Sequence, residues 1–186
     1  RWAINVDIMK KKGVTFKDVI DAYSDSGKVE DLVEKAPLAE AVLGMVVKHH
    51  PPPHTAQKYR IPKIWKGDLE SDLGKSILNC DDNGPTVMMI VNMTIDPAAG
   101  PVAIGRLFSG KIKDGQTINI IDSNREGRVQ SVNFFMSNVR EQVGELSAGN
   151  IPALLGLTEA RAGQTVSTNK ECDVFEASKY VSEPVV

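Results

Sequence analysis

The chain has 186 residues, 41% of them hydrophobic and 25% charged, the make-up of a soluble globular protein long enough for one sizeable core or for one domain with an appendage. Lys and Arg number 22 against 24 Asp and Glu, for a net charge of −2, which excludes gripping nucleic acid by overall charge and leaves only local basic surfaces for that purpose. Cys80 and Cys172 stand far apart with no Cys-x-x-Cys spacing, so the expectation is a reducing, cytoplasmic setting without a disulfide framework.

Apolar runs such as 86–91 and 151–157 are too short to cross a bilayer, and no membrane association is expected. The first residue is Arg rather than Met, and Trp2–Val6 reads like the middle of a fold. The expectation is a fragment of a longer protein.

Helical signals open the chain. Phe16, Val19, Ile20 and Tyr23 recur at three- and four-residue spacing, with Thr15 placed to cap them. A polar turn is expected over 24–28 and a short helix over 29–36. A longer helix starts near Pro37, runs through Leu38, Ala41, Val42, Met45 and Val46, and stops before Pro51-Pro52-Pro53. Residues 51–85 read as a connector, rich in proline and without a long periodic run. Strand texture begins at Thr86: 86–95, 102–108, 117–121, 128–136, 149–155 and 164–167 are expected strands, with turns at 97–100, 109–110, 113–116 and 122–127. In 128–136, Val129, Val132, Phe134 and Met136 form the expected inward set. About six short strands separated by glycine turns predict a mainly β fold, a small closed β-barrel preceded by two or three α-helices. Residues 169–186 read as a linker.

Sites for chemistry are few. His50 and His54 are four apart, but the three prolines between them bar the helix that would put them on one face. Asp81-Asp82-Asn83-Gly84 resembles the start of a calcium loop, yet the apolar run that follows supplies no further ligands, so a turn is expected. No nucleophile motif occurs. Neither Gly-x-x-x-x-Gly-Lys-Ser/Thr nor Gly-x-Gly-x-x-Gly is present, so no loop of backbone N–H groups is expected to cradle a nucleotide's phosphates. No catalytic, nucleotide or metal residue is assigned. The stretch Lys58-Tyr59-Arg60-Ile61-Pro62-Lys63-Ile64-Trp65-Lys66 interleaves cations and aromatics. It suits either RNA contact or a solvated linker whose Trp65 and Ile64 pack on the barrel.

That same stretch, continued by Gly67-Asp68, resembles a segment of archaeal and eukaryotic elongation factor 2. So does Ala41-Val42-Leu43-Gly44-Met45-Val46-Val47-Lys48-His49 with the prolines after it. Residues 105–116, Gly-Arg-Leu-Phe-Ser-Gly-Lys-Ile-Lys-Asp-Gly-Gln, are similar to the second domain of translational GTPases. So are 149–157 and Ala160-Arg161-Ala162-Gly163-Gln164-Thr165-Val166. The resemblance implies a barrel of the translation-factor second-domain type over 86–168, preceded by the last helices of a GTPase domain over 1–50. It also implies a lead over 169–186 toward a third domain. On this likeness Trp2-Ala3 follows directly on a guanine-contacting segment. The implied parent uses GTP and magnesium in ribosomal translocation. The implied partners of this part are small-subunit ribosomal RNA and the parent's own GTPase and third domains, with no DNA.

Candidate RNA or domain contacts are Lys58, Arg60, Lys63, Trp65, Lys66, Arg106, Lys111, Lys113 and Arg128, with salt bridging the competing role for any one of them. Gly105, Gly110, Gly115 and Gly163 are expected at turns or strand junctions where φ is positive. Two further readings stand beside this one. One is a spliceosomal relative of elongation factor 2; the other is a free-standing barrel that binds a protein or a ligand.

Overall fold

The computed structural model describes residues 9–24, 29–35, 37–97, 99–136 and 139–176. The Trp2-Ala3 pair, most of the 24–28 turn and the tail from 177 onward lie outside them. Two compact units divide the chain, Arg1–Pro52 and Pro53–Val186.

The first unit holds α1 (Phe16–Ser24), α2 (Val29–Lys35) and α3 (Leu38–His49). Thr15 caps α1 reciprocally: its N–H and hydroxyl donate to the Asp18 carboxylate at 2.7 and 2.6 Å, and the Asp18 N–H donates to Thr15 Oγ1 at 3.3 Å. This is a capping box with Asp in the usual place of Glu. Helix α3 ends at His50, whose backbone is extended and whose N–H returns to the Val46 carbonyl. Pro51 and Pro52 have no N–H with which to continue it. Phe16, Ile20 and Tyr23 on α1, and Val42, Leu43, Val46 and Val47 on α3, remain exposed.

The second unit opens with α4 (Pro53–Ile64) and α5 (Asp72–Asn79), where the sequence suggested a connector. Pro53 stands at the first helical position, where a missing N–H costs nothing, and Pro62 falls in the last turn. Gln57, Ile61 and Trp65 are buried at four-residue spacing. The inward stripe exists, but a glutamine occupies one of its places and so weakens the apolar period. Ser71 caps α5 by accepting the Gly74 N–H at 3.0 Å, and Cys80 ends it in the left-handed conformation. Asp81–Gly84 is a turn in which Asp81 Oδ1 accepts the Asn83 N–H at 2.9 Å.

Ten strands follow among the described residues: β1 (Val87–Asp96), β2 (Gly100–Ser109), β3 (Lys111–Lys113), β4 (Thr117–Ile120), β5 (Arg125–Arg128), β6 (Ser131–Met136), β7 (Val139–Gln142), β8 (Glu145–Ser147), β9 (Ala153–Leu155) and β10 (Thr165–Ser167). Eight form an antiparallel sheet in the order β5-β4-β10-β1-β2-β9-β6-β7, while β3 pairs with β8. The fold is therefore mainly β with helices before the sheet.

Four strands escaped the sequence reading, the three-residue β3 among them. Strand β5 occupies the expected 122–127 turn, because Asn124 takes φ 50° after a 3-10 turn at Ile121–Ser123 and reverses the chain early. Asn adopts this conformation more readily than most residues. Strands β7 and β8 fall where polar residues hid the alternation. Inside β6 the expected inward set is also corrected: Asn133 is buried and Met136 exposed. Asn133 Nδ2 donates to Ser131 Oγ at 2.9 Å and to the Ala153 carbonyl at 3.5 Å, which offsets the loss of water.

One core draws Met88, Ile90, Leu107, Ile112, Ile118, Val132, Leu154 and Val166 from both sheets. A second gathers Ile61, Trp65, Ile77, Val87, Phe108, Cys172 and Phe175. Residues 169–176 are thus not a free linker. Phe175 is stacked on Phe108 with ring centroids 4.6 Å apart, and the Glu176 N–H donates to the Ile64 carbonyl at 2.7 Å.

Gly110, Gly115 and Gly163 have φ of 73°, 77° and 92°, as turn positions require. Gly105 departs from that expectation. It lies within β2 opposite Ile90, where β1 carries a register shift, and a Cβ there would meet the Met89 carbonyl oxygen at 2.2 Å. Close backbone approach, not a turn, demands glycine at this position.

Candidate interaction surface

The basic residues flagged in the sequence separate into three settings. On and after α4, Lys58, Arg60, Lys63 and Lys66 are exposed, since the buried Gln57, Ile61 and Trp65 claim the other face of the helix. Trp65 itself is 5% exposed, and its indole N–H donates to the Asp173 carbonyl at 2.9 Å. Its ring lies 6.5 Å from that of Phe175, so it presents no free face for a base to stack on. The exposed aromatic among these cations is Tyr59.

On β3, Lys113 is ion-paired to Glu145 of β8 at 3.0 Å and Lys111 to the same carboxylate at 3.9 Å. Such solvent-exposed pairs contribute about 0–1 kcal/mol each. They temper the positive potential of this edge without removing it: two cations share one anion. Arg128 is exposed on β5, opposite Thr117 of β4.

Arg106 differs from all of these. It projects from β2 and is half-buried beside Cys80, the left-handed cap of α5. Burial lowers its pKa from the ordinary value; the Cys80 thiol opposes that shift, and the nearby Arg60 adds to it. Among the described residues no carboxylate pairs with it. Burial likewise raises the Cys80 thiol, with Arg106 pulling it down and Asp82 pushing it up. A cleft of about 490 Å³ opens beside Arg106, walled by Phe134, Phe135, Val143, Leu146 and Ile151. No sequence pattern pointed to this cleft, because β8, which supplies Leu146 to its wall, was not legible as a strand.

Nothing in this set suits nucleotide hydrolysis. The chain lacks a glycine-rich phosphate loop, and among the described residues no three His, Cys, Asp or Glu side chains gather around a common point. Among the described residues the side chains therefore do not fit GTP or magnesium. Among the described residues no helix is long and apolar enough to cross a membrane.

Comparison with known proteins gives a consistent result. Residues 100–167 match the family model for elongation factor Tu domain 2. The whole chain is 75% identical to elongation factor 2 of Cenarchaeum symbiosum, covering 25% of that protein. It is also 50% identical to the elongation factors 2 of Methanocaldococcus jannaschii and Sulfurisphaera tokodaii, again matched along its entire length and covering 26% of each. The chain spans about a quarter of the relatives it matches. Matched from end to end at these identities, with a domain-2 signature on its strands, the chain belongs to the elongation factor 2 family.

Proposed function

We propose that this chain is the non-catalytic, barrel-bearing scaffold of a translational GTPase that promotes GTP-dependent translocation on the ribosome, in the cytoplasm. The observation that carries the reading is the likeness to elongation factor 2 along all 186 residues. Residues 1–50 would be the last helices of the GTPase domain, with GTP and magnesium held by another part of the protein. Residues 86–168 would form the barrel and 169–186 the lead to a third domain. Closure of the barrel is supported by the single core that takes Ile112 and Leu146 from β3 and β8 together with side chains of the eight-stranded sheet. Reciprocal bonds support it further: Gly115 N–H donates to the Val129 carbonyl at 2.8 Å, and Val129 N–H to the Gln116 carbonyl at 2.9 Å. Closure removes exposed strand edges.

In this reading Lys58, Arg60, Lys63, Lys66, Lys111, Lys113 and Arg128 meet small-subunit ribosomal RNA or the parent's own domains, and Arg106 takes the protein side of that choice. The RNA is read by shape and phosphate rather than by base. Trp65 serves them indirectly by anchoring α4. Two measurements test the proposal. Isolated chain titrated with GTP or GDP should give no binding heat, and tight stoichiometric binding would overturn the scaffold role. In the longer protein, reversing the charges on Lys58, Lys63 and Lys66 should weaken ribosome binding and ribosome-stimulated GTP hydrolysis. Unchanged values would dismiss those contacts.

A further inference from the structure

We propose that the cleft beside Arg106 is a docking site for a short acidic-apolar peptide segment of a partner protein, with an aliphatic or aromatic side chain held between Phe134, Val143, Leu146 and Ile151 and an adjacent carboxylate bound by the Arg106 guanidinium. Charge complementarity identifies the occupant. Arg106 is half-buried with a second cation, Arg60, near it and, among the described residues, no carboxylate to answer either. A partly desolvated guanidinium is a strong receptor for one carboxylate, which it can grip through two parallel N–H bonds. The surroundings select against a polyanion. Glu141 stands directly opposite Phe134 in the β6–β7 register and therefore on the same face of the sheet. A nucleic-acid strand would bring successive phosphates toward Glu141, whereas a peptide with one carboxylate beside an apolar anchor has to place only that group, at the arginine. The volume of about 490 Å³ falls within the range of pockets that enclose small ligands. The cleft's chemistry stands independently of any translational role.

The test uses the 186-residue chain and three fluorescein-labelled probes: a capped hexapeptide with one leucine followed by one glutamate in a glycine-serine background, the same peptide with glutamine for glutamate, and hexauridylate. Fluorescence anisotropy should show saturable binding of the acidic peptide, with the glutamine peptide weaker by roughly tenfold or more. Arg106→Gln should erase that preference, Arg106→Lys should keep part of it, and Ile151→Asp, at an exposed wall position, should weaken both peptides. Amide NMR spectra of each variant establish that it remains folded and place the peptide on the cleft residues. No saturable binding of the acidic peptide would overturn the proposal. So would equal affinity for the two peptides, indifference to Arg106→Gln in folded protein, or tighter binding of hexauridylate at the same residues.

Discussion

Replacing Gly110 by alanine should destabilise the second unit far more than the same change at Gly115, although both glycines have nearly the same φ, 73° and 77°. The left-handed conformation alone costs a residue with a Cβ about 1 kcal/mol, and Gly115→Ala should lose little beyond that. A Cβ at Gly115 meets only the flexible end of Arg128, at 3.8 Å. At Gly110 the new methyl would stand 2.7 Å from the Gly84 carbonyl oxygen and from the N and Cα of Thr86, all backbone. The strand entry must then shift. Two bonds centred on Thr86 are at risk: its hydroxyl donates to the Lys111 carbonyl at 2.6 Å, and its N–H to Thr168 Oγ1 at 3.1 Å. At about 1 kcal/mol for each weakened bond, the total for Gly110→Ala is about 3 kcal/mol, against about 1 for Gly115→Ala. Urea unfolding followed by the fluorescence of buried Trp65 and by far-ultraviolet circular dichroism measures the difference. With a denaturant slope of about 2 kcal/mol per molar, the Gly110→Ala midpoint should fall about 1 M further than that of Gly115→Ala. Equal midpoints would refute the close-approach reasoning.

Burial raises the Cys172 thiol from 9.0 to about 11. The neutral thiol's contribution is complete below pH 9 and is lost as pH climbs toward 11, because the unfolded chain releases its proton first. Wild type should therefore lose up to roughly 2 kcal/mol more than Cys172→Ala between pH 9 and 11, and parallel urea-unfolding profiles for the two proteins would contradict this. Trp65→Phe keeps a ring in the second core but removes the donor to the Asp173 carbonyl, so about 1 kcal/mol should be lost. Trp65→Ala should lose about 3–5, and both are read from thermal or urea midpoints. Tyr23 and Val47 are 94% and 84% exposed, and the apolar faces around them favour self-association. Tyr23→Lys combined with Val47→Lys should shift sedimentation toward monomer, and an unchanged distribution would discard the idea.

The sequence carried the fold wherever one apolar period ran unbroken. Strands β1 and β2 were visible because Val, Ile and Met dominate 87–95 and 102–108, and α1 and α3 because their apolar stripes lie between a clear cap and a triple proline. Helix α4 was hidden: Gln57 occupies an inward position and prolines stand at both ends, so local propensity argued for a connector while tertiary burial decided for a helix. Strands β7 and β8 were hidden for a different reason. Edge and near-edge strands need only a few apolar residues, and Val-Arg-Glu-Gln and Glu-Leu-Ser carry too few to show alternation. The interleaved cations were legible as a cluster, but whether Trp65 faced solvent or core turned on Phe175, 110 positions downstream. Arg106 could be flagged by type alone. Its distinction from the paired Lys111 and Lys113 comes from burial and from Glu145, which only the folded register sets.

Gln57 explains why the α4 cations belong with the sheet rather than with the helices before them. Its amide donates to the Ile77 carbonyl at the end of α5 and, at 2.9 Å, to the Phe108 carbonyl in β2, so one buried side chain ties two helices and a strand. Trp65 closes the other end of α4 against 173–175. A helix fastened at both ends cannot roll without stranding buried carbonyls, each at roughly 1–3 kcal/mol. The backbone that carries Lys58, Arg60 and Lys63 is consequently held in one orientation relative to β2. Cations on so fixed a backbone suit a shaped anionic surface, because only their side chains, and not the helix, have to be ordered on binding.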